Sequence, residues 1–174
     1  MSNMHQRQRA FTLIELIFCI AITSISLSYA IPTFQSMLVK ASLSANANAL
    51  TGLLYRGKAA GASKGSVLLC GGSLLCEEFK QTHNIKLVHD KNFNRQFDAG
   101  EEILYEMDLP KGMTLSWNSF RGKPWIHFTH SGHLWFQNGN LQLCYKKMQQ
   151  KVIVNKIGKT RIEKIETADR KCPP

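Results

Sequence analysis

Hydrophobic residues crowd one end of this chain and fall into shorter stretches over the rest. Residues 11–31 form a 21-residue run that is apolar except for Glu15 and a few small hydroxyl side chains. At 1.5 Å per residue a helix of that length reaches roughly 30 Å, the thickness of a bilayer's hydrocarbon core. Beyond it Leu43, Ala47, Leu50 and Leu54 recur at spacings of four, three and four. That period predicts a helix continuing to about Ser63, with its apolar stripe on a globular domain and Ser44, Asn46 and Asn48 on the other face. The stretch from Gly61 to Gly65 ends it, and we read this half as scaffold.

From Val67 onward the pattern changes to short β-like runs separated by turn residues. The candidate strands are Val67–Cys70, Ile85–His89, Ile103–Met107, Met113–Trp117, Trp125–Thr129, His133–Gln137, Asn140–Tyr145, Lys151–Asn155 and Thr160–Ile165. Asn138-Gly139 between the sixth and seventh is a two-residue hairpin signal. The pattern predicts an α+β fold, a long N-terminal helix packed on antiparallel sheet.

Composition sharpens this picture in three places. The 174 residues suit one domain, and 44% hydrophobic content can build a core. Arg7 and Arg9 precede the apolar run, and the first acid after Glu15 is Glu77. The positive-inside rule therefore puts the N-terminus in the cytoplasm and everything after about Lys40 outside. Cys70, Cys76, Cys144 and Cys172 all fall in that outside part, while Cys19 lies in the run. Four cysteines in an oxidising compartment allow three pairings; Cys70 with Cys76 closes a short Gly-rich loop and Cys144 with Cys172 ties down the tail, so we favour that set.

The net charge of +10 is unevenly spread: residues 77–108 carry eight acids and four bases, and residues 146–172 nine bases and three acids. A basic C-terminal region points to a polyanionic partner, the alternative being an ordinary solvated strand face.

The N-terminus is not built like a secretory signal, whose apolar core precedes its cleavage site. Here a short polar leader, Met1 to Ala10, comes first, followed by Phe11-Thr12-Leu13-Ile14-Glu15. This resembles the prepilin peptidase site of type IV pilins, type II secretion pseudopilins and competence pilins. The resemblance implies cleavage between Ala10 and Phe11, methylation of the new terminus, and a mature chain that keeps its membrane helix. It also implies that the Glu15 carboxylate neutralises a neighbouring subunit's terminal amine during assembly, a use that would explain a costly intramembrane acid. Pro32 stands where many pilins carry a helix-kinking proline. Ala10 departs from the family's usual Gly.

The later features narrow the likeness. They are a Cys-Gly-Gly loop, Gly100-Glu101-Glu102-Ile103-Leu104, Phe128-Thr129-His130-Ser131-Gly132, Asn138-Gly139 before Leu143-Cys144, and Ile157-Gly158-Lys159-Thr160-Arg161-Ile162. Together they resemble the FimT/GspH group of minor pilins and pseudopilins, nearest to FimT. The resemblance implies a leader over 1–10, a transmembrane and assembly helix over 11–32, an amphipathic continuation over 33–63 and a β-rich globular domain over 64–174. It implies residence in the inner membrane followed by a pilus, with prepilin peptidase and other major and minor pilins as partners. In FimT proteins a C-terminal Gly-Arg-x-Arg-like element binds DNA, and Gly158, Lys159, Thr160 and Arg161 match it with Lys in place of the first Arg. Lys156 lies in the adjoining turn, Lys159 and Arg161 share a face if residues 160–165 are a strand, and Lys146, Lys147, Lys151, Lys164, Arg170 and Lys171 extend the surface.

Other constellations carry less. Asp90, Asn92, Asn94, Gln96, Asp98 and Glu101 have calcium-loop spacing, but Arg95 occupies the position that requires Gly, so a polar turn is the better reading. His127, His130 and His133 have period-three spacing across a turn signal, which suits surface or half-buried histidines rather than zinc. Ile157-Gly158-Lys159-Thr160 ends like a P-loop but has Ile153 where the first Gly belongs. No metal, cofactor or catalytic constellation is assigned, and the chain reads as a non-enzyme. Two functions remain, a DNA-binding minor pilin of natural transformation and a GspH-like pseudopilin or priming pilin without DNA binding; the basic tail favours the first.

Overall fold

The computed structural model of the protein describes residues 12–72, 76, 78–167 and 172. A single helix, α1 (Leu13–Lys64), opens the described chain, and the protein divides into two compact units between Leu38 and Val39.

In the first unit Thr12 caps the helix, its Oγ1 accepting the Glu15 N–H at 3.4 Å. Leu13, Ile14, Ile17, Phe18, Ile22 and Ile25 are all exposed among the described residues, an uncovered apolar surface. The hydroxyls that interrupt the run turn back onto the helix instead. Thr23 donates to the Cys19 carbonyl at 2.9 Å, Ser24 to Ile20 at 2.7 Å, Ser26 to Ile22 at 2.9 Å and Ser28 to Ser24 at 2.9 Å. Their polar atoms are thus satisfied inside the helix, which leaves a surface suited to lipid. The helix continues through Pro32, whose missing N–H removes one backbone bond.

The second unit begins where the apolar residues become periodic. Val39, Leu43, Ala47, Leu50, Leu54, Gly57 and Gly61 form one buried stripe. The two glycines sit there because the helix meets Phe128 closely: a Cβ on Gly57 would lie 2.5 Å from the Phe128 ring, and one on Gly61 2.9 Å from the Thr129 carbonyl. Gly61 is therefore a packing residue, and Gly65, at φ +101° with its N–H on the Gly61 carbonyl, terminates the helix.

Two antiparallel sheets complete this unit. Sheet A has the order β3 (Glu102–Asp108), β2 (Asn84–His89), β1 (Val67–Gly71), β5 (Ile126–Phe128). Sheet B has the order β4 (Met113–Ser119), β6 (Gly139–Tyr145), β7 (Met148–Val154), β8 (Thr160–Ile162), and the short β9 (Glu166–Thr167) also pairs with β7. A 3₁₀ turn, Phe79–Gln81, precedes β2. Leu69, Ile85, Leu115, Ile126, Phe128, Leu141 and Val152 join the helical stripe in one core.

Three local expectations fail. Residues 133–137 are not a strand beyond one bridge from Leu134 to Phe128. Their N–H groups go to different neighbours, Leu134 to the Lys156 carbonyl and Trp135 to that of His127, and Phe136 at φ +47° interrupts the extended backbone. Asn138-Gly139 consequently turns no hairpin. Gly139 begins β6 pressed against the Asn118 carbonyl on β4, a contact that excludes any side chain. The two-residue hairpin is instead Lys146-Lys147, between paired Tyr145 and Met148, with Lys146 left-handed at φ +53°. Finally, β8 stops at Ile162 rather than running to Ile165.

Cys70 is bonded to Cys76, with Cα atoms 5.0 Å apart, and Cys144 to Cys172, with Cα atoms 5.7 Å apart. The second bond brings Cys172 onto the face of sheet B that carries Gln142 and Gln149, both buried there, with Gln142 Nε2 3.5 Å from the Cys172 sulfur.

Candidate nucleic-acid interface

The hairpin joining β7 to β8 places the tail's cations. Asn155 organises the turn through its side chain, Oδ1 accepting the N–H groups of Ile157 at 3.2 Å and Lys159 at 2.9 Å. Gly158 adopts φ +76° and donates its N–H to the Asn155 carbonyl at 2.9 Å. Two outside contacts fix the loop: Lys58 Nζ donates to the Ile157 carbonyl at 2.9 Å, and the Leu134 N–H to that of Lys156 at 2.9 Å.

Lys156 and Lys159 project from this anchored turn, exposed and, among the described residues, without an ion-pairing carboxylate. Arg161 differs. Its guanidinium is exposed but lies 3.3 Å from the Glu163 carboxylate, so part of its charge is already answered. Arg161 pairs with Ile153 in the β7–β8 ladder, which puts it on the same face as Lys151. Lys146 and Lys147 are not part of this group: they sit at the other end of β7, roughly 20 Å away along the strand. Arg170 and Lys171 lie outside the described residues, as do Ala10 and Phe11.

Many of the alternative ligand groups are turned onto the domain's own donors, and the histidines are spread between core and surface. Asp90 Oδ2 accepts from Ser66 Oγ at 2.9 Å and from the Arg95 N–H at 3.1 Å, and Glu101 Oε1 from the Lys91 N–H at 2.9 Å. Asn92 and Asn94 turn their side-chain oxygens onto the N–H groups of Asn94 and Gln96, at 3.0 and 2.8 Å. Arg95 takes the left-handed conformation, φ +63°, at the place where glycine was required. His127 is buried with Nε2 2.8 Å from Ser66 Oγ, whereas His130 and His133 are exposed, and Cys144 is committed to its disulfide. Since Ser66 donates to Asp90, the neutral ring of His127 donates from Nε2. Burial pushes its pKa down, Arg95 adds to this, and Asp90 opposes it.

One group of residues was missed in the linear reading. Arg95, Arg121, Lys123, Trp125 and Trp135 line a cleft of about 320 Å³. The Arg95 guanidinium lies 4.8 Å from the Trp135 ring centre and that of Arg121 5.4 Å from Phe136. A second cleft of about 460 Å³ runs from Trp135 and Phe136 to Lys156 and Ile157. In the sequence its signal is Phe120-Arg121-Gly122-Lys123-Pro124-Trp125, where aromatic and cationic residues interleave, while Trp135-Phe136 lies within the expected strand 133–137.

The family of the type II transport protein GspH matches residues 46–158, and the prokaryotic N-terminal methylation motif matches residues 5–31. The chain belongs to the GspH family. The GspH-like fold is shared with the type IV minor pilin FimU of Pseudomonas aeruginosa, at 12% identity and TM-score 0.53 over 70% of this chain and 93% of that one. It is equally shared with the minor pseudopilin EpsH of the Vibrio cholerae type II secretion system, at 13% identity and TM-score 0.53 over 75% and 99% of the two chains. No curated protein matches the chain. As a GspH-family protein with the prepilin methylation motif it is a minor pilin or pseudopilin, anchored in the inner membrane by its N-terminal helix and then assembled with other pilins in a pilus or pseudopilus. Pilins and pseudopilins are structural proteins, and prepilin processing goes with the methylation motif.

Proposed function

We propose that this minor pilin is a DNA-binding subunit of a type IV pilus, closest to FimT, which holds DNA without regard to sequence during natural transformation. The observation that carries this reading is the turn at 155–159, where Lys156 and Lys159 stand exposed and, among the described residues, without a carboxylate partner, on a backbone anchored from two sides. Lysines that meet phosphates do so as point charges, and a contact to phosphate carries no information about the base. Gly158 supplies the left-handed turn between them, and Arg161 contributes what Glu163 leaves available. Lys146 and Lys147, at the far end of β7, are at most a separate contact.

The mature protein, in an uncharged detergent, is expected to bind duplexes of unrelated sequence with equal affinity. A strain carrying Lys156→Gln and Lys159→Gln is expected to assemble its pili but take up DNA poorly; normal uptake would refute the reading. The second reading, a GspH-like pseudopilin or priming pilin without DNA binding, draws on the equal likeness to EpsH. It predicts no duplex binding at all.

Both readings share the processing step at Ala10 and Phe11 and the assembly role of Glu15. Mass spectrometry of the membrane-extracted protein should show loss of residues 1–10, and Glu15→Val should block incorporation into filaments. An intact leader in cells with active peptidase, or normal incorporation of the variant, contradicts them.

A further inference from the structure

We propose that the cleft around Trp135 receives unstacked bases of a single-stranded nucleic acid, whose backbone continues past Phe136 to Lys156. This deepens the nucleic-acid reading above and rests on it.

The argument begins with the rings. Trp135 is 39% exposed and Phe136 63% exposed, and their centres are 5.8 Å apart at right angles. Each ring carries a guanidinium, Arg95 over Trp135 and Arg121 over Phe136. Among the described residues neither guanidinium is paired with a carboxylate, and no Asp or Glu lines the cleft. A guanidinium lying on a ring offers its outer plane to a base and its N–H groups to phosphate.

The floor of the cleft is held in place. Gln137, 1% exposed, accepts the His127 N–H at 2.8 Å on Oε1 and donates from Nε2 to the Trp125 carbonyl at 2.8 Å. The His127 ring, bonded below to Ser66, sits 6.1 Å from Trp125 and 6.2 Å from Trp135. Cations and aromatic faces in one prearranged groove suit a strand whose bases are splayed out, and stacking on such faces tolerates any base. A duplex hides its base faces and could use only the charges. The second cleft supplies the direction, since it joins Trp135 and Phe136 to Lys156 on the turn already described. A cluster of cations without a carboxylate partner among the described residues favours this polyanion over an apolar protein partner.

The test uses the full mature chain in uncharged detergent with three probes: a thymidine oligonucleotide of about 12 nucleotides, within the range such sites cover, an abasic strand of the same length, and a duplex. The base-bearing strand is expected to bind about tenfold or more tightly than the abasic one, in line with stacking on one or two rings. It alone should quench tryptophan emission. Phe136→Ala, at an exposed side chain, is expected to lower single-strand affinity by about tenfold while duplex binding is unchanged.

Equal binding and equal quenching by the two single strands would overturn the cleft alone, leaving the duplex reading intact. Failure of the parent protein to bind the duplex would sink the reading on which the cleft rests. A Phe136→Ala protein that binds single strands normally but no longer enters filaments would make this surface a contact with another pilin, and that too overturns the proposal.

Discussion

Sheet A ends at β3 and sheet B at β8, and both edge strands are charged, but their charges are treated differently. On β3, Glu102 meets Lys64 at 3.0 Å, Glu106 meets Lys86 at 3.5 Å and Asn84 at 2.7 Å, and Asp108 shares the same Asn84 amide at 2.7 Å. The Glu102 carboxyl is held below its usual range by the Lys64 hydrogen bond and charge. At the other edge Arg161 has Glu163, while Lys156 and Lys159 in the adjoining turn have no carboxylate among the described residues. Charge on an edge strand is a common guard against edge-to-edge pairing, so its presence alone says little. The acidic edge is answered within the domain, and the basic turn is left for something else to answer.

That contrast can be tested first by loosening sheet B. Replacing Cys144 and Cys172 together by Ala frees the tail from the face bearing Gln142 and Gln149, and should cost about 2 to 5 kcal/mol of stability, read as a fall in the denaturant midpoint. Because the turn is held by Lys58 and Leu134 rather than by this bond, duplex affinity measured well below that midpoint should change little. A matching loss of affinity would show that the tail, not the turn, carries the site.

A smaller effect concerns acid. The His127 pKa is lowered from its ordinary 6.5, chiefly by burial, so folding favours the neutral ring. Its contribution is complete above the ordinary value and is lost as pH falls through it toward the lowered one. Unfolding midpoints taken from pH 7 to pH 5 should therefore fall, and part of that fall should be absent in His127→Gln. An identical pH profile in the two proteins would mean that the ring titrates as if unburied.

Local patterns in the chain carried the helix well. The stripe Leu43, Ala47, Leu50, Leu54 is buried as its spacing implied, and Gly65 ends the helix by the left-handed turn that glycine permits. What failed depended on neighbours distant in sequence. Gly139 looks like a hairpin glycine when read with Asn138, yet it exists to let the backbone of β4 approach. Residues 133–137 have the aromatic and apolar content of a strand, but their hydrogen-bond partners, His127 and Lys156, come from different parts of the chain. Lys146 and Lys156 read as one basic tail, although β7 holds them at opposite ends. The cleft was hidden for the same reason, since Arg95, Arg121 and Trp135 meet only once both sheets are built.

The salt dependence of duplex binding tests the central claim most directly. For roughly three to five neutralised phosphates, log affinity plotted against log salt should fall with a slope of about −3 to −5 in the parent protein. Lys156→Gln with Lys159→Gln should make that slope shallower by nearly 2, at about 0.9 per lost contact. Glu102→Gln with Glu106→Gln, at the edge whose charges are already met, should leave it unchanged. If the lysine variant binds duplex as tightly as the parent and with the same slope, the turn at 155–159 is not the site.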